Sequence, residues 1–236
     1  MPTEPEKIEV GFRVRGPVDR AILHEIWAAD AYRIRTLPFI PKTVLDIGAH
    51  IGGFALLAAT GWRGCRVIAC ECDADNLHLL KTNIAGHSQI EVVEAAIVGE
   101  DISEIEFHAV SDKAGDNSGG GSCFIPEPGS EPVQVPALSI LRLWQSKQLE
   151  TCDLLKLDCE GAELPILTAL GQRGLLDRIR HIVGEWHAWE DEADAESNTT
   201  AQLATLLKPT HELVLRPRPG VGLGYFTATR KRDCDS

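Results

Sequence analysis

The chain has 236 residues, 44% of them hydrophobic and 25% charged, which is enough for one α/β domain with a sizeable core. Its formal net charge of -12 argues against binding to a phosphate backbone, which needs Lys and Arg to displace counterions. The polar start, Met1 to Val10, has no signal-peptide core, and no run of residues is long and apolar enough to span a membrane. Seven cysteines without a CxxC pair fit free thiols in a reducing cytosol, so a cytoplasmic location is expected. The basic residues Arg216, Arg218, Arg230, Lys231 and Arg232 read as a solvated edge.

Along the chain, the first expected element is a helix over Asp19–Ala29. It belongs to an N-terminal extension, residues 1–42, that packs over the core or makes a homodimer contact. From residue 43, short apolar runs alternate with amphipathic ones. Strands are expected at Lys42–Ile47, Arg66–Glu71, Ile90–Ala95, Asp153–Asp158 and Ile179–Trp186. Helices are expected at Gly52–Thr60, Asp75–Ile84, Ala162–Leu170 and Asn198–Leu207. This alternation implies a mostly parallel sheet with helices on both faces. Two closing strands, Glu212–Leu215 and Gly224–Thr229, are close enough in sequence to pair antiparallel at one edge. Residues 111–130 are rich in Gly, Ser and Pro and lie between short strands at Ile105–Val110 and Val133–Val135. They read as an inserted hairpin or loop near 104–136, either a plain surface loop or a lid that closes with Gly119–Phe124.

The first strand ends in Asp46-Ile47-Gly48-Ala49-His50-Ile51-Gly52-Gly53, and a helix starts at once. Strand-to-helix turns of this kind bind ligands in such sheets, and their N–H groups can hold an anion. The next strand ends in Glu71, well placed to accept hydrogen bonds from ribose hydroxyls. A dinucleotide fingerprint needs a glycine where His50 stands, so that the pyrophosphate can approach. S-adenosylmethionine (SAM) has no phosphate, and Asp46 suits its ammonium group, so the turn favours SAM over NAD.

The segments Val44–Phe54, Glu71-Cys72-Asp73 with Asn76, and Asp153–Glu163 resemble the FkbM family of SAM-dependent methyltransferases over about residues 43–187. The resemblance implies a class I methyltransferase fold, a Rossmann-like sheet of seven strands, with the catalytic domain over residues 43–236. It implies that Asp46, Gly48 and His50, with Ala49 in the same turn, line the methionine part of SAM, that Glu71 holds the ribose, and that Cys72, Ala95 and Ala96 border the adenine. The family commonly has Asn at the position of His50.

A second group closes the later strands. Asp158 ends one, and Glu185 and His187, two residues apart and so on one face, end the next. Asp158 is also expected to contact the cofactor. Glu160 and Glu163 read mainly as helix-start carboxylates, and Lys156 as an ion-pair partner. If neighbouring strands bring Asp158, Glu185 and His187 together, His187 can act as general base near its ordinary pKa of ~6.5. Alternatively the three can bind a divalent metal that acidifies a hydroxyl. Trp186 and Trp189 read as packing or rim residues, and Asp191, Glu192, Asp194 and Glu196 as a solvated acidic run. The expected activity is O-methylation of a small-molecule acceptor, a sugar or secondary metabolite, with no nucleic acid or membrane as partner. The rival readings are an NAD-linked oxidoreductase and a non-catalytic SAM-binding module.

Overall fold

In the computed structural model, residues 11–109, 121–123, 132–188, 195–218 and 222–231 are described. Most of the 111–130 segment, Trp189 and the acidic residues Asp191, Glu192 and Asp194 lie outside them, as does the side chain of Glu196. Among the described residues, ten strands run in chain order: β1 (Thr43–Ile47), β2 (Arg66–Glu71), β3 (Ile90–Glu94), β4 (Ala96–Val98), β5 (Glu104–Phe107), β6 (Val133–Ser139), β7 (Cys152–Leu157), β8 (Ile179–His187), β9 (His211–Arg218) and β10 (Leu223–Arg230). The helices are α1 (Pro17–Trp27), α2 (Gly53–Gly61), α3 (Ala74–Asn83), α4 (Ile140–Ser146), α5 (Glu163–Gln172) and α6 (Ala195–Leu207).

Seven strands form the main sheet in the order β3-β2-β1-β7-β8-β10-β9. Strands β3, β2, β1, β7 and β8 run parallel to one another, and β10 runs antiparallel to both β8 and β9. The reversed strand therefore sits one place in from the edge. The chain order reverses beside β1, where β2 lies on one side and β7 on the other, and ligands bind at such switch points.

Residue alternation in the central strands decides what covers each face. Leu45, Leu155 and Ile182 join Ile166, Leu167 and Leu170 of α5 in one apolar cluster. Val44, Leu154 and Val183 join Phe54, Ala55 and Ala58 of α2 in the other. All these strand residues are fully buried, so the runs read as apolar throughout rather than alternating. Helix α1 lies on α2, and the contact depends on Gly53, where an added Cβ would come within 2.8 Å of Leu23 and 3.2 Å of Ile26.

The strand expected over 90–95 is β3, and a short further strand that was not expected, β4, follows at once and belongs to a different sheet. Strand β4 pairs in parallel with β6, and β6 pairs antiparallel with β5, giving a small three-stranded sheet. Helix α4 was not expected; Ser139 caps it by accepting the Arg142 N–H, and its Ile140 and Leu143 are fully buried. Among the described residues the cysteines are free, and no helix is long and apolar enough to cross a membrane.

Candidate active site

A cleft of about 490 Å³ opens at the carboxyl ends of β1, β2, β7 and β8. Gly48, His50, Glu71, Cys72, Ala95 and Ala96 line one end of it. Asp158, Glu160, Glu185 and His187 line the other, and Ile22, Glu25 and Ile26 of α1 form a wall. Of the residues expected at the cofactor, Asp46 and Ala49 do not line this cleft. They are buried behind it.

The turn after β1 is shaped by close approach. Gly48 has φ +77°, and a Cβ there would lie 1.8 Å from the Asp158 carbonyl oxygen. The turn also uses its own donors: the Gly48 and Ala49 N–H groups donate to the Cys70 carbonyl at 3.1 and 2.9 Å, and the His50 N–H donates to Glu71 Oε2 at 2.8 Å. Those N–H groups are therefore engaged and do not form a phosphate cradle. Glu71 accepts two more backbone N–H bonds, from Cys72 and Asp73, both at 2.8 Å. Three donors fix this carboxylate at the cleft wall.

His50 adopts a left-handed conformation at φ +51° and turns its ring toward the N-terminal segment. Its Nε2 is 3.1 Å from the Arg15 guanidinium and 3.3 Å from the buried Asp19 carboxylate. Arg15 also donates to Asn76 Oδ1 at 2.6 Å, tying this segment to α3. Cys72 and Cys123 both line this end of the cleft, and the interaction of their thiols raises the pKa of Cys72 and lowers that of Cys123.

Asp46 and Lys156 are register partners on β1 and β7, and their charged groups lie 3.3 Å apart. Lys156 donates to the Gly48 carbonyl at 2.5 Å and sits 3.7 Å from Asp158. The ion pair expected for Lys156 is thus made with both carboxylates. Burial raises the Asp46 pKa to about 6 against the pull of Lys156. Asp46 acts on the cleft through this lysine and the turn rather than by touching it.

At the other end, Asp158, Glu185 and His187 each offer a ligand atom, and the three atoms lie within 4.8 Å of one another. The parallel pairing of β7 with β8 sets Leu157 beside Gly184, which brings the following residues together. His187 Nδ1 is 3.3 Å from Glu163 Oε1, and its Nε2 is 3.5 Å from Glu160 Oε2. Glu163 is itself fixed by the N–H groups of Cys159 (2.9 Å) and Gly161 (3.0 Å). It is a helix-start carboxylate, as its position implies, and also the partner that orients His187.

The electrostatics follow from crowding. Burial pulls the His187 imidazole down, but Glu163, Glu160 and Asp158 outweigh it and raise the pKa to about 10. The raised pKa favours the protonated ring, which works against a role as general base. Burial, then the neighbouring carboxylates, push Glu160 up to about 8 and Glu185 up to about 7. Asp158 goes the other way: burial is outweighed by Lys156, His187 and the Tyr32 hydroxyl, and its pKa falls.

Several site residues had no signal in the sequence. Tyr32 donates to Asp158 Oδ2 at 2.6 Å, Arg218 donates to Glu185 Oε1 at 3.4 Å, and Tyr225 donates to Glu25 at 3.2 Å. They come from the N-terminal segment and the last two strands, and only the sheet order brings them here. Trp186 is fully buried packing.

Solved structures with this fold include a METTL16 methyltransferase domain, with a TM-score of 0.53, 13% identity and coverage of 97% of this chain and 76% of that one. Another is a precorrin-6Y C5,15-methyltransferase from Geobacter metallireducens, with a TM-score of 0.50, 13% identity and coverage of 95% of both chains. A comparison with curated proteins returns no match. The profile of the methyltransferase FkbM domain matches residues 46–213, and the chain belongs to that methyltransferase family.

Proposed function

We propose that this methyltransferase uses SAM to methylate a hydroxyl of a small polyhydroxylated acceptor, such as a sugar or a secondary metabolite. The observation that carries the reading is the two-ended cleft. Glu71, fixed by three backbone N–H groups, marks one end, and the Asp158, Glu185 and His187 group marks the other.

The residues present fit SAM. The cleft volume of about 490 Å³ suits a ligand of its size. Glu71 keeps lone pairs at the cleft wall for the ribose hydroxyls, and Cys72, Ala95 and Ala96 provide a small-sided slot for the adenine. The engaged N–H groups of Gly48, Ala49 and His50 disfavour a pyrophosphate, which weighs against the oxidoreductase alternative. When bound, SAM supplies a sulfonium methyl: the acceptor oxygen forms the new C–O bond as the C–S bond breaks, and the electron pair returns to sulfur.

The protein's share is alignment, exclusion of water and removal of one proton. Asp158, Glu160, Glu185 and His187 surround the place where the acceptor hydroxyl sits, and Ile22 and Ile26 shield it. The acidic wall, with Tyr32 and Tyr225, offers hydroxyls many acceptors and aromatic surface. The reading is tested by SAM binding in calorimetry and by S-adenosylhomocysteine formation across a panel of hydroxylated acceptors. SAM binding with product from at least one alcohol is expected. Binding without turnover on any acceptor would leave a binding module, and NADH binding in place of SAM would overturn the cofactor.

A further inference from the structure

We propose that a basic cavity at the opposite end of the sheet from the cleft binds a small anion that carries two or more linked phosphate groups. This site is separate from the methyl-transfer reading above and does not depend on it.

The cavity, of about 370 Å³, lies where β7 and β8 begin and β10 ends. Arg178, Arg180, Arg230 and Lys231 line it, together with Phe39 from the segment before β1. The sheet brings them to one place. Strand β10 runs antiparallel to β8 with Thr229 opposite His181, so Arg230 ends one strand beside the start of the other, where Arg180 stands. Arg178 closes the short 3₁₀ turn Leu176–Arg178 that leads into β8. Arg230 and Lys231, which read as a solvated edge in the sequence, are thus joined by two arginines from β8 and its approach.

What sets these cations apart is how they are held. Elsewhere on the surface, Arg66, Lys81, Arg142 and Lys147 each reach a carboxylate. Here the partners are neutral. The Arg180 guanidinium lies over the Phe39 ring, 3.7 Å from its centroid. That ring is met edge-on by His181, whose pKa burial lowers to about 4, so the imidazole is uncharged at neutral pH. Arg230 Nη1 donates to the Asp177 carbonyl at 2.8 Å, and Lys231 Nζ to the Lys208 carbonyl at 2.6 Å. Among the described residues, none of the four cations forms an ion pair with a carboxylate. Asp153, the acidic residue of the lining, has its Oδ2 engaged by the N–H groups of Lys42 and Thr43 at 2.8 and 3.2 Å. The cations are therefore positioned without being neutralised, which is the preorganisation an anion site needs.

The chemistry selects phosphate. A guanidinium offers a planar fork of donors that fits two phosphate oxygens, and a lysine adds a point charge. Four cations against one carboxylate leave an excess of positive charge that one phosphate does not match and two linked phosphates do. The cavity has the volume of a small-molecule site, and the net charge of -12 on the whole chain repels a long phosphate backbone.

The test is calorimetric titration of the full chain with pyrophosphate at low ionic strength, with phosphorus NMR as a second readout. One site per chain is expected, with affinity that falls as salt is added. Arg180→Ala should weaken binding about 10-fold, and Arg178→Glu combined with Arg230→Glu should abolish it. The residues changed are exposed, and circular dichroism checks that each variant folds. Arg180→Lys, which keeps the charge and loses the stacked fork, gives a milder change if the others do not. Arg142→Ala alters a cation that Asp101 already holds and should leave binding as it is. ADP titrated in parallel distinguishes two sources of the same chemistry. Tighter binding of ADP than of pyrophosphate identifies a nucleotide, the reverse identifies an inorganic polyphosphate, and both support the site. Absence of binding at millimolar concentration, or binding unchanged in Arg180→Ala and in the double charge reversal, overturns it. So does equal loss in Arg142→Ala, the mark of general charge attraction, or displacement by S-adenosylhomocysteine, which would put the anion in the cleft.

Discussion

The two ends of the cleft are built on opposite plans. At the end proposed for the cofactor, the carboxylate of Glu71 is satisfied by three backbone N–H groups within a few residues of the two strand ends. At the end proposed for the acceptor, Asp158, Glu160, Glu163 and Glu185 gather around His187, with partners drawn from distant parts of the chain. The first plan suits a ligand that never changes, because local backbone geometry can specify it. The second concentrates charge that only a cation, a proton or a substrate can offset, and it can be altered one side chain at a time.

The largest test of this contrast breaks both ends at once. Gly48 belongs to the cofactor turn, yet its missing Cβ makes room for the Asp158 carbonyl. Gly48→Ala would meet that oxygen at 1.8 Å in a backbone conformation that alanine avoids. A loss of about 4 kcal/mol is expected, lowering the melting temperature by roughly 10 °C in calorimetry, with SAM binding and turnover both impaired. A variant as stable as the parent would show that the two ends are not coupled through this turn.

A change confined to the acceptor end should separate them. Glu185→Gln keeps shape and removes charge where Asp158 and His187 converge. The expected result is a fall of about 100-fold in kcat with the Kd for SAM within about threefold of the parent. Equal losses in both would mean that Glu185 serves the cofactor as well. The converse change is Glu71→Gln, which sets an amide N–H₂ against at least one of the three backbone donors. It should cost about 2 kcal/mol, or about 30-fold in SAM affinity by calorimetry, with kcat at saturating SAM little altered.

The same contrast explains what was legible in the sequence. Strand β1, the glycine turn, Glu71 and α3 follow one another within a short stretch, so their order alone indicates a cofactor site. Asp158, Glu185 and His187 were readable as strand-end residues because parallel neighbours align their ends. The role of Glu163 toward His187 was hidden, because a carboxylate at a helix start already has a sufficient explanation in the backbone N–H groups it accepts. Tyr32, Arg218 and Tyr225 were hidden for another reason: no local periodicity records which distant segments a sheet order will bring together. Likewise, β4 carried no signal of its own, since three apolar residues do not mark a strand that joins another sheet.

The smallest expected effect is the one that isolates a single long-range contact. Tyr32 reaches the acceptor end from the segment after α1, and its ring packs edge-on against Phe54 and Tyr225, with centroids 5.5 and 5.7 Å away. Tyr32→Phe retains those ring contacts and removes only the hydroxyl that donates to Asp158 at 2.6 Å. The fold should therefore stay intact. Asp158 keeps Lys156 at 3.7 Å but loses its short hydrogen bond, so its carboxylate becomes less firmly aimed and its pKa rises from its lowered value. A net cost of about 1 kcal/mol corresponds to roughly fivefold in kcat, measured as S-adenosylhomocysteine release, with SAM affinity unchanged. If Tyr32→Phe instead weakened SAM binding and spared kcat, the hydroxyl would belong to the cofactor end, and the boundary between the two halves would have to be moved past Asp158.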